Sequence, residues 1–157
     1  MLTDATELGL YRYFSRCVKE STGVDIETYR SQRSKVHEIP FNSSLKWQMS
    51  IHNTSTASDG RVKQTLFLKG APDVLLDKCG FYLTSDGQKA PIDEQFRANY
   101  QRIYEEFGGE GERVLGFAMR DMQNTFEEES AADALYKDRL KEDLVGLGRN
   151  SSMSDNT

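Results

Sequence analysis

The chain has 157 residues and carries 20 Lys and Arg against 25 Asp and Glu, a formal net charge of -5. This length suffices for one domain with a hydrophobic core, and the acidic balance argues against nucleic acid as a main partner. Only Cys17 and Cys79 are present. They exclude a disulfide-dense secreted scaffold and leave two buried free thiols, or a single disulfide, as the alternatives.

The first predicted element is an amphipathic helix over the first two dozen residues. Thr3 or Asp4 is expected to cap its start, and the Ser-Thr-Gly run at 21–23 is expected to end it. A short polar helix or loop follows over 24–35. The apolar residues of the first helix recur at spacings of three, three and four, which places them on one face: Leu8, Tyr11, Phe14 and Val18.

The middle of the chain predicts β-structure. An extended piece at 36–40 precedes a strand at 47–53, in which apolar and polar residues alternate. A Thr-, Ser-, Asp- and Gly-rich loop at 53–60 leads to a second strand at 61–69, so the pair is expected to form an antiparallel hairpin. In the first of these strands the apolar face holds Trp47, Met49 and Ile51, and the polar face holds Gln48, Ser50 and His52.

Three further helices and two strands are predicted after this hairpin. Pro72 fits the first turn of a helix that runs to about Cys79, and a strand at 81–84 ends in a turn. Asp93 is expected to cap the next helix, which Gly108 and Gly109 stop. A strand at 113–119, a helix at 131–143 and a disordered tail at 148–157 complete the chain. The helix after Asp93 carries one apolar stripe: Ile92, Phe96, Tyr100, Ile103 and Phe107.

These elements together predict an α+β fold with a twisted antiparallel β-sheet flanked by helices. The sequence has no run of about 18 apolar residues, so no membrane span is predicted, and it begins with no secretory signal.

Several catalytic and metal-binding motifs are absent from the sequence. It has no phosphate-binding Gly-x-x-x-x-Gly-Lys loop, no dinucleotide fingerprint and no Gly-x-Ser-x-Gly elbow. His37 and His52 have no ligand partners at a metal-binding spacing. These motifs therefore indicate no catalytic residue and no metal ligand in the sequence.

Three segments stand out as an ordered set of motifs. They are E-I-P-F-N-S-x-x-K-x-Q-x-S-I-H from residue 38, K-G-A-P from residue 69 and G-E-R-V-L-G-F from residue 111, preceded by D-A-T-E at 4–7. The set resembles the nucleotide-binding domain of P-type cation-transporting ATPases, in particular the alpha subunits of Na+/K+- or H+/K+-transporting pumps. The resemblance covers residues 1–147 and leaves 148–157 as a divergent tail.

The resemblance implies an ATP-binding domain that holds adenine so that ATP can phosphorylate an aspartate on another domain. Phe41 would stack on the base, Glu7 would accept a hydrogen bond from its amino group, and Arg113 would lie by the phosphates or ribose. The side chains of Lys46 and Lys69 would line the pocket, and Gly70 would let a ligand approach the backbone. The full set of implied ATP-binding residues is Glu7, Phe41, Lys46, Gln48, Lys69, Gly70 and Arg113.

Taken singly, each of these residues has an ordinary structural alternative. Phe41 fits a core position on composition alone. Lys46, Lys69 and Gln48 fit a solvated surface. An acid such as Glu7 is also favoured in the first turn of a helix by the helix dipole, and Arg113 has neighbouring glutamates with which to form a salt bridge.

The sequence also departs from the family. The D-K-T-G-T and T-G-E segments and the membrane helices are absent, so the chain is expected to be a pump fragment. It should bind ATP weakly, ADP and AMP almost as well, and Mg2+ only weakly, without hydrolysis. Its partners would be ATP or ADP and the phosphorylation and actuator domains of the pump.

The fragment is expected to be a monomer without nucleic-acid or membrane contact, from the cytoplasmic side of a plasma-membrane protein. The alternatives are a truncated fragment that acts as a protein-interaction module without nucleotide binding, and an α+β domain whose resemblance is only historical.

Overall fold

The computed structural model describes residues 5–122 and 144–147. In these residues four helices and seven strands follow one another along the chain. Their bounds, in chain order, are α1 Ala5–Thr22, α2 Ile26–Ser31, β1 Lys35–Asn42, β2 Trp47–Thr56, β3 Val62–Gly70, α3 Pro72–Leu76, β4 Cys79–Leu83, β5 Lys89–Pro91, α4 Glu94–Gly109, β6 Gly116–Asp121 and β7 Leu144–Leu147.

All seven strands belong to one sheet, in the order β1-β2-β3-β6-β7-β4-β5. Neighbouring strands are antiparallel except β4 and β7, which are parallel. The predicted α+β fold with an antiparallel sheet is confirmed, as is the predicted β2–β3 hairpin. The parallel pair was not predicted, because β7 is separated from β4 by most of the C-terminal half of the chain.

One face of the sheet carries the hydrophobic core. The alternation predicted for β2 is confirmed, since Trp47, Met49 and Ile51 are all buried. Met49 lies opposite Leu68 of β3, and Leu68 lies opposite Ala118 of β6, so one apolar row crosses three strands. The side chains of this row point to the face of the sheet against which α3 packs.

Helix α1 lies against the opposite face, which we call the α1 face and define by Gln48, Lys69 and Phe117. These three residues are cross-strand neighbours on β2, β3 and β6. Glu7 of α1 forms an ion pair with Lys69, and the Phe14 ring meets the Phe117 ring edge to face at 6.4 Å between centroids. The predicted first helix is thus confirmed, and its contacts connect it to the middle of the sheet.

Helix α4 begins as predicted. The Asp93 carboxylate accepts a hydrogen bond from the Phe96 backbone N–H at 2.7 Å, so it caps the helix. The Phe96 ring stacks on Tyr82 of β4 with 4.1 Å between centroids, which fastens the apolar stripe of the helix to the sheet. The helix runs through Gly109, and Gly111 follows with a φ of 76°, a value that favours glycine.

Three predicted boundaries were wrong. Strand β2 continues to Thr56, three residues into the predicted loop, and the hydroxyls of Thr54 and Thr65 lie 3.1 Å apart across the hairpin. Helix α3 ends at Leu76, and Cys79 begins β4 instead of closing the helix. Burial of Cys79 in the core at the start of a strand explains this change.

The third wrong boundary concerns Arg113, which was placed in a strand. Strand β6 begins only at Gly116, which pairs with Gly70, the last residue of β3. Residues before Gly116 have passed the end of β3 and have no ladder partner there, so the backbone at Arg113 is not part of the sheet.

Some predictions fall outside the described residues. They are the capping residues Thr3 and Asp4, the helix at 131–143 and the disordered tail at 148–157. Among the helices within 5–122, none has the length and apolar character that a membrane crossing requires.

Gly70 should be essential to the hairpin. A Cβ atom at this position would lie 2.7 Å from the Cα and Cβ of Trp47, and closer still to the Lys46 carbonyl oxygen. We expect Gly70→Ala to lower the free energy of unfolding by about 2 kcal/mol or more, because backbone atoms must shift. Urea denaturation followed by circular dichroism measures this.

Gly9→Ala is the matched control for this substitution. Gly9 lies within α1, and nothing lies within 4 Å of its added Cβ atom. Alanine there should raise the free energy of unfolding by about 0.5–1 kcal/mol. Equal effects of the two substitutions would contradict the packing described at Gly70.

The buried thiol of Cys79 should make the free energy of unfolding depend on pH. Burial raises the pKa of its thiol to about 11 from the ordinary value of 9.0. The folded state holds this proton more tightly than the unfolded state, so the stabilisation is complete below pH 9 and is lost as the pH rises towards 11. Denaturation between pH 8 and 11 should show a decline that Cys79→Ala makes less steep. If the free energy of unfolding declined with pH equally steeply in both proteins, Cys79 would not be the cause.

Candidate functional site

The predicted ATP-binding residues of the sheet gather at one of its ends. Asn42 lies opposite Trp47, Trp47 lies opposite Gly70, and Gly70 lies opposite Gly116. At this end β1 and β3 finish while β2 and β6 begin. We call it the Gly70 end of the sheet. Four segments separated in the sequence therefore meet there.

Phe41 lies at the Gly70 end, near the last residue of β1. Its side chain is 60% exposed, although a phenylalanine on a strand is usually buried. The alternative of an ordinary core position is therefore wrong for this residue. Its exposed ring is open to a planar ligand.

Lys46 lies in the four-residue turn between β1 and β2 and is exposed. Its backbone φ is 60°, in the left-handed region that residues other than glycine rarely adopt. The turn carries Lys46 to the same sheet end as Phe41, and it brings the Lys46 carbonyl oxygen to 2.9 Å from the Ala71 N–H, which donates to it.

Glu7, Gln48 and Lys69 form a group on the α1 face. Gln48 and Lys69 are cross-strand neighbours, and the Lys69 ammonium donates to Oε1 of Glu7. The side chain of Lys69 is only 19% exposed and that of Glu7 is 40% exposed. The ion pair is partly shielded from water, so its two charges attract each other more strongly than a fully exposed pair would.

Gly70 is buried between the strands, and its structural role differs from the expected one. The space that a side chain would need is filled by the backbone of β2 at Lys46 and Trp47. The close approach that the structure contains is thus between two strands of the protein. Ligand approach to this backbone stays a prediction.

Arg113 lies outside the sheet. It is exposed, three residues before β6, and lines an open cavity of about 470 Å³ beside the C-terminal half of α4. Glu105 and Glu112 line the same cavity, so its charge is mixed. Arg113 thus lies beside α4, three residues before the start of β6, whereas Glu7 lies on α1. The other residues of the cavity wall are Gln101, Tyr104, Gly108, Gly111 and Val114.

Sequence reasoning missed the role of Asn42. Its side-chain oxygen accepts hydrogen bonds from the N–H groups of Ser44, at 2.7 Å, and Leu45, at 3.2 Å. The signal was available, since Asn before two serines is typical of a turn closed by the Asn side chain.

Within residues 5–122 and 144–147, no three His, Cys, Asp or Glu side chains are grouped as metal ligands.

Comparison with known proteins identifies the family. The family model for P-type ATPase, cytoplasmic domain N, matches residues 1–155. The chain belongs to this family. Its relatives include the sodium/potassium-transporting ATPase subunits alpha-3 of Gallus gallus and of Homo sapiens, each 43% identical over 114 residues, or 73% of the chain. The alpha-4 subunit of Rattus norvegicus is 40% identical over 123 residues, or 78% of the chain.

These comparisons confirm the resemblance to P-type ATPases and, within them, to the Na+/K+-transporting alpha subunits. The chain spans 10–11% of the length of these relatives. The family is named for a cytoplasmic domain, which agrees with the cytoplasmic location expected from the sequence.

The Glu7–Lys69 ion pair should contribute measurably to stability. A double-mutant cycle with Glu7→Gln and Lys69→Met should give a coupling free energy of about 0.5–1 kcal/mol at low salt, because the pair is partly shielded. One molar NaCl should reduce this coupling. Urea denaturation of the four proteins measures it.

The Arg97–Asp77 pair is the control for this cycle. Its atoms are 3.1 Å apart, but its side chains are 43% and 79% exposed, so its coupling should be close to zero. A Glu7–Lys69 coupling no larger than that of the control would show that the ion pair does not hold α1 to the sheet.

Proposed function

We propose that this domain binds ATP at the Gly70 end of the sheet, with adenine as the main point of contact. The observation that carries the proposal is the placement of Glu7, Gln48 and Lys69 as one group on the α1 face, at the sheet end where the Phe41 ring is exposed. Membership of the cytoplasmic domain N family supports it.

Phe41 supplies a surface for the base. Stacking of a base on an aromatic side chain contributes about 1–3 kcal/mol in nucleic-acid complexes. The ring is already exposed, so binding needs no rearrangement of the core. Stacking would cover an apolar surface that is otherwise in contact with water.

Glu7 and Gln48 supply the hydrogen-bonding groups of this proposed pocket. The Glu7 carboxylate holds Lys69 through Oε1, and a carboxylate has further lone pairs that can accept from an amino group. The adenine amino group is such a donor. Gln48, the cross-strand neighbour of Lys69, can both donate and accept, so it suits the ring nitrogens of the base.

Lys46 and Arg113 would supply positive charge for phosphate in this part of an acidic protein, whereas Lys69 is already paired with Glu7. Lys46 lies in the turn after the exposed ring, and Arg113 lies three residues before the start of β6. Arg113 can contact two phosphate oxygens at once, which a lysine cannot do with the same geometry. We assign the phosphates to the side of the site nearest Arg113.

In a complete pump this domain would carry the nucleotide to an aspartate on the phosphorylation domain. The domain itself would bind and orient ATP, and the phosphorylation and actuator domains would be its partners. Mg2+ would be held mainly by those other domains and by the phosphates. We therefore expect weak ATP binding by the chain alone, without hydrolysis.

Substitution of Phe41 tests the proposal. Phe41→Ala should raise the dissociation constant for ATP about 5- to 150-fold, because about 1–3 kcal/mol of stacking is lost. Isothermal titration calorimetry, with competition where binding is weak, measures the change.

Phe81→Ala is the matched control. Phe81 is also exposed, at 37%, but it lies on β4, four strands away from β2 in the sheet. It should leave the ATP dissociation constant unchanged. A folded wild-type chain that does not bind millimolar ATP would contradict the proposal and favour the protein-interaction alternative.

A further inference from the structure

Three backbone N–H groups in the turn between β1 and β2, residues 43–46, donate hydrogen bonds to Asn42. The side-chain oxygen of Asn42 accepts from the N–H groups of Ser44 and Leu45. The carbonyl oxygen of Asn42 accepts from the Lys46 N–H at 2.6 Å. One residue therefore satisfies three of the backbone donors of the turn, which fixes its conformation.

Lys46 occupies a conformation that its own chemistry does not favour. Its φ of 60° makes it the single non-glycine residue with positive φ in the part of the chain that the structure describes. Non-glycine residues persist in this region only where their surroundings hold them there, and such residues concentrate at functional sites.

The far side of the turn is fixed by the end of β3. The Lys46 carbonyl oxygen accepts from the Ala71 N–H at 2.9 Å. The backbone at Lys46 and Trp47 also fills the space beside Gly70. Asn42 on one side and Gly70–Ala71 on the other therefore hold Lys46 between them.

We propose that Asn42 is a positioning residue for nucleotide binding, acting through the left-handed turn that ends at Lys46. This inference rests on the proposed function. Phe41 and Lys46 are both exposed, so core packing does not set their directions. The backbone must set them, and Asn42 connects the two. It follows Phe41 directly, and its side chain holds the N–H groups of Ser44 and Leu45 in the turn that ends at Lys46.

The expected consequence is a preformed site. If the turn is set before the ligand arrives, no binding energy is spent on ordering it. If the competent conformation falls to about one tenth of the molecules, the apparent dissociation constant rises tenfold. Loss of the Asn42 side chain should have an effect of this size, although this side chain itself makes no ligand contact in the proposal.

The test uses the full chain and adenosine as an uncharged probe. Asn42→Ala should raise the adenosine dissociation constant about tenfold. Asn42→Asp keeps the acceptor oxygen and should restore binding to within about twofold of wild type, and an uncharged probe avoids repulsion between the new carboxylate and phosphates. Ser44→Ala keeps the backbone N–H that Asn42 binds and should change nothing.

Amide hydrogen exchange gives a second measurement that does not depend on a variant. The N–H groups of Leu45, Lys46 and Ala71 should already be protected in the free wild-type chain. Exchange at unprotected rates in the free chain would overturn the inference, because the turn would not be preformed.

The outcomes separate the two proposals. If wild type binds ATP and adenosine but Asn42→Ala binds adenosine equally well, the positioning role is wrong and the proposed function stands. Equal weakening by Asn42→Ala and Asn42→Asp would also overturn it, because the acceptor oxygen would not matter. If folded wild type binds neither nucleotide nor nucleoside, both proposals fail.

Discussion

The close contact of the β2 and β3 backbones at Gly70 determines the arrangement of the whole candidate site. Only a residue without a side chain permits Lys46 and Trp47 to lie so near β3. This contact fixes the register in which Gln48 lies opposite Lys69. A shift of one residue would move Lys69 to the core face and Leu68 to the α1 face, which would bury a charge.

The two faces of the sheet differ in the side chains they carry. The core face holds the apolar rows of β2, β3 and β6 against α3, so it supplies most of the stability. The α1 face carries the polar side chains Gln48 and Lys69, and the ion pair with Glu7 and the contact between Phe14 and Phe117 hold the helix there. The side chains of the proposed site thus stand on one face of a sheet whose core packing lies on the other face.

Local features of this fold could be predicted from sequence because their causes are local. The alternation of β2 and the Asp93 cap depend on residues a few positions apart. The pairing of Glu7 with Lys69 joins residues 62 positions apart, and no local pattern specifies it. Arg113 was misplaced in a strand for a related reason: strand β6 can start only where β3 provides a partner.

The candidate site also combines features that local sequence predicts with features that depend on the three-dimensional arrangement. The motifs supplied the candidate residues, but composition favoured a core position for Phe41, and only the three-dimensional arrangement gave its exposure. The role expected for Gly70 was close approach of a ligand, whereas the structure shows close approach of a strand. The sequence could not distinguish these, since glycine serves both.

The proposed nucleotide site lies at the Gly70 end of the sheet, between Phe41 and the Glu7 group. The most direct measurement is an ATP titration of the full chain followed by amide NMR, repeated with AMP. Binding at this site should give saturable shifts at Glu7, at residues 41–48 and at Lys69 and Gly70 with both ligands, and larger shifts near Arg113 with ATP than with AMP. Shifts confined to the α4 cavity, at Gln101 and Tyr104, would contradict it.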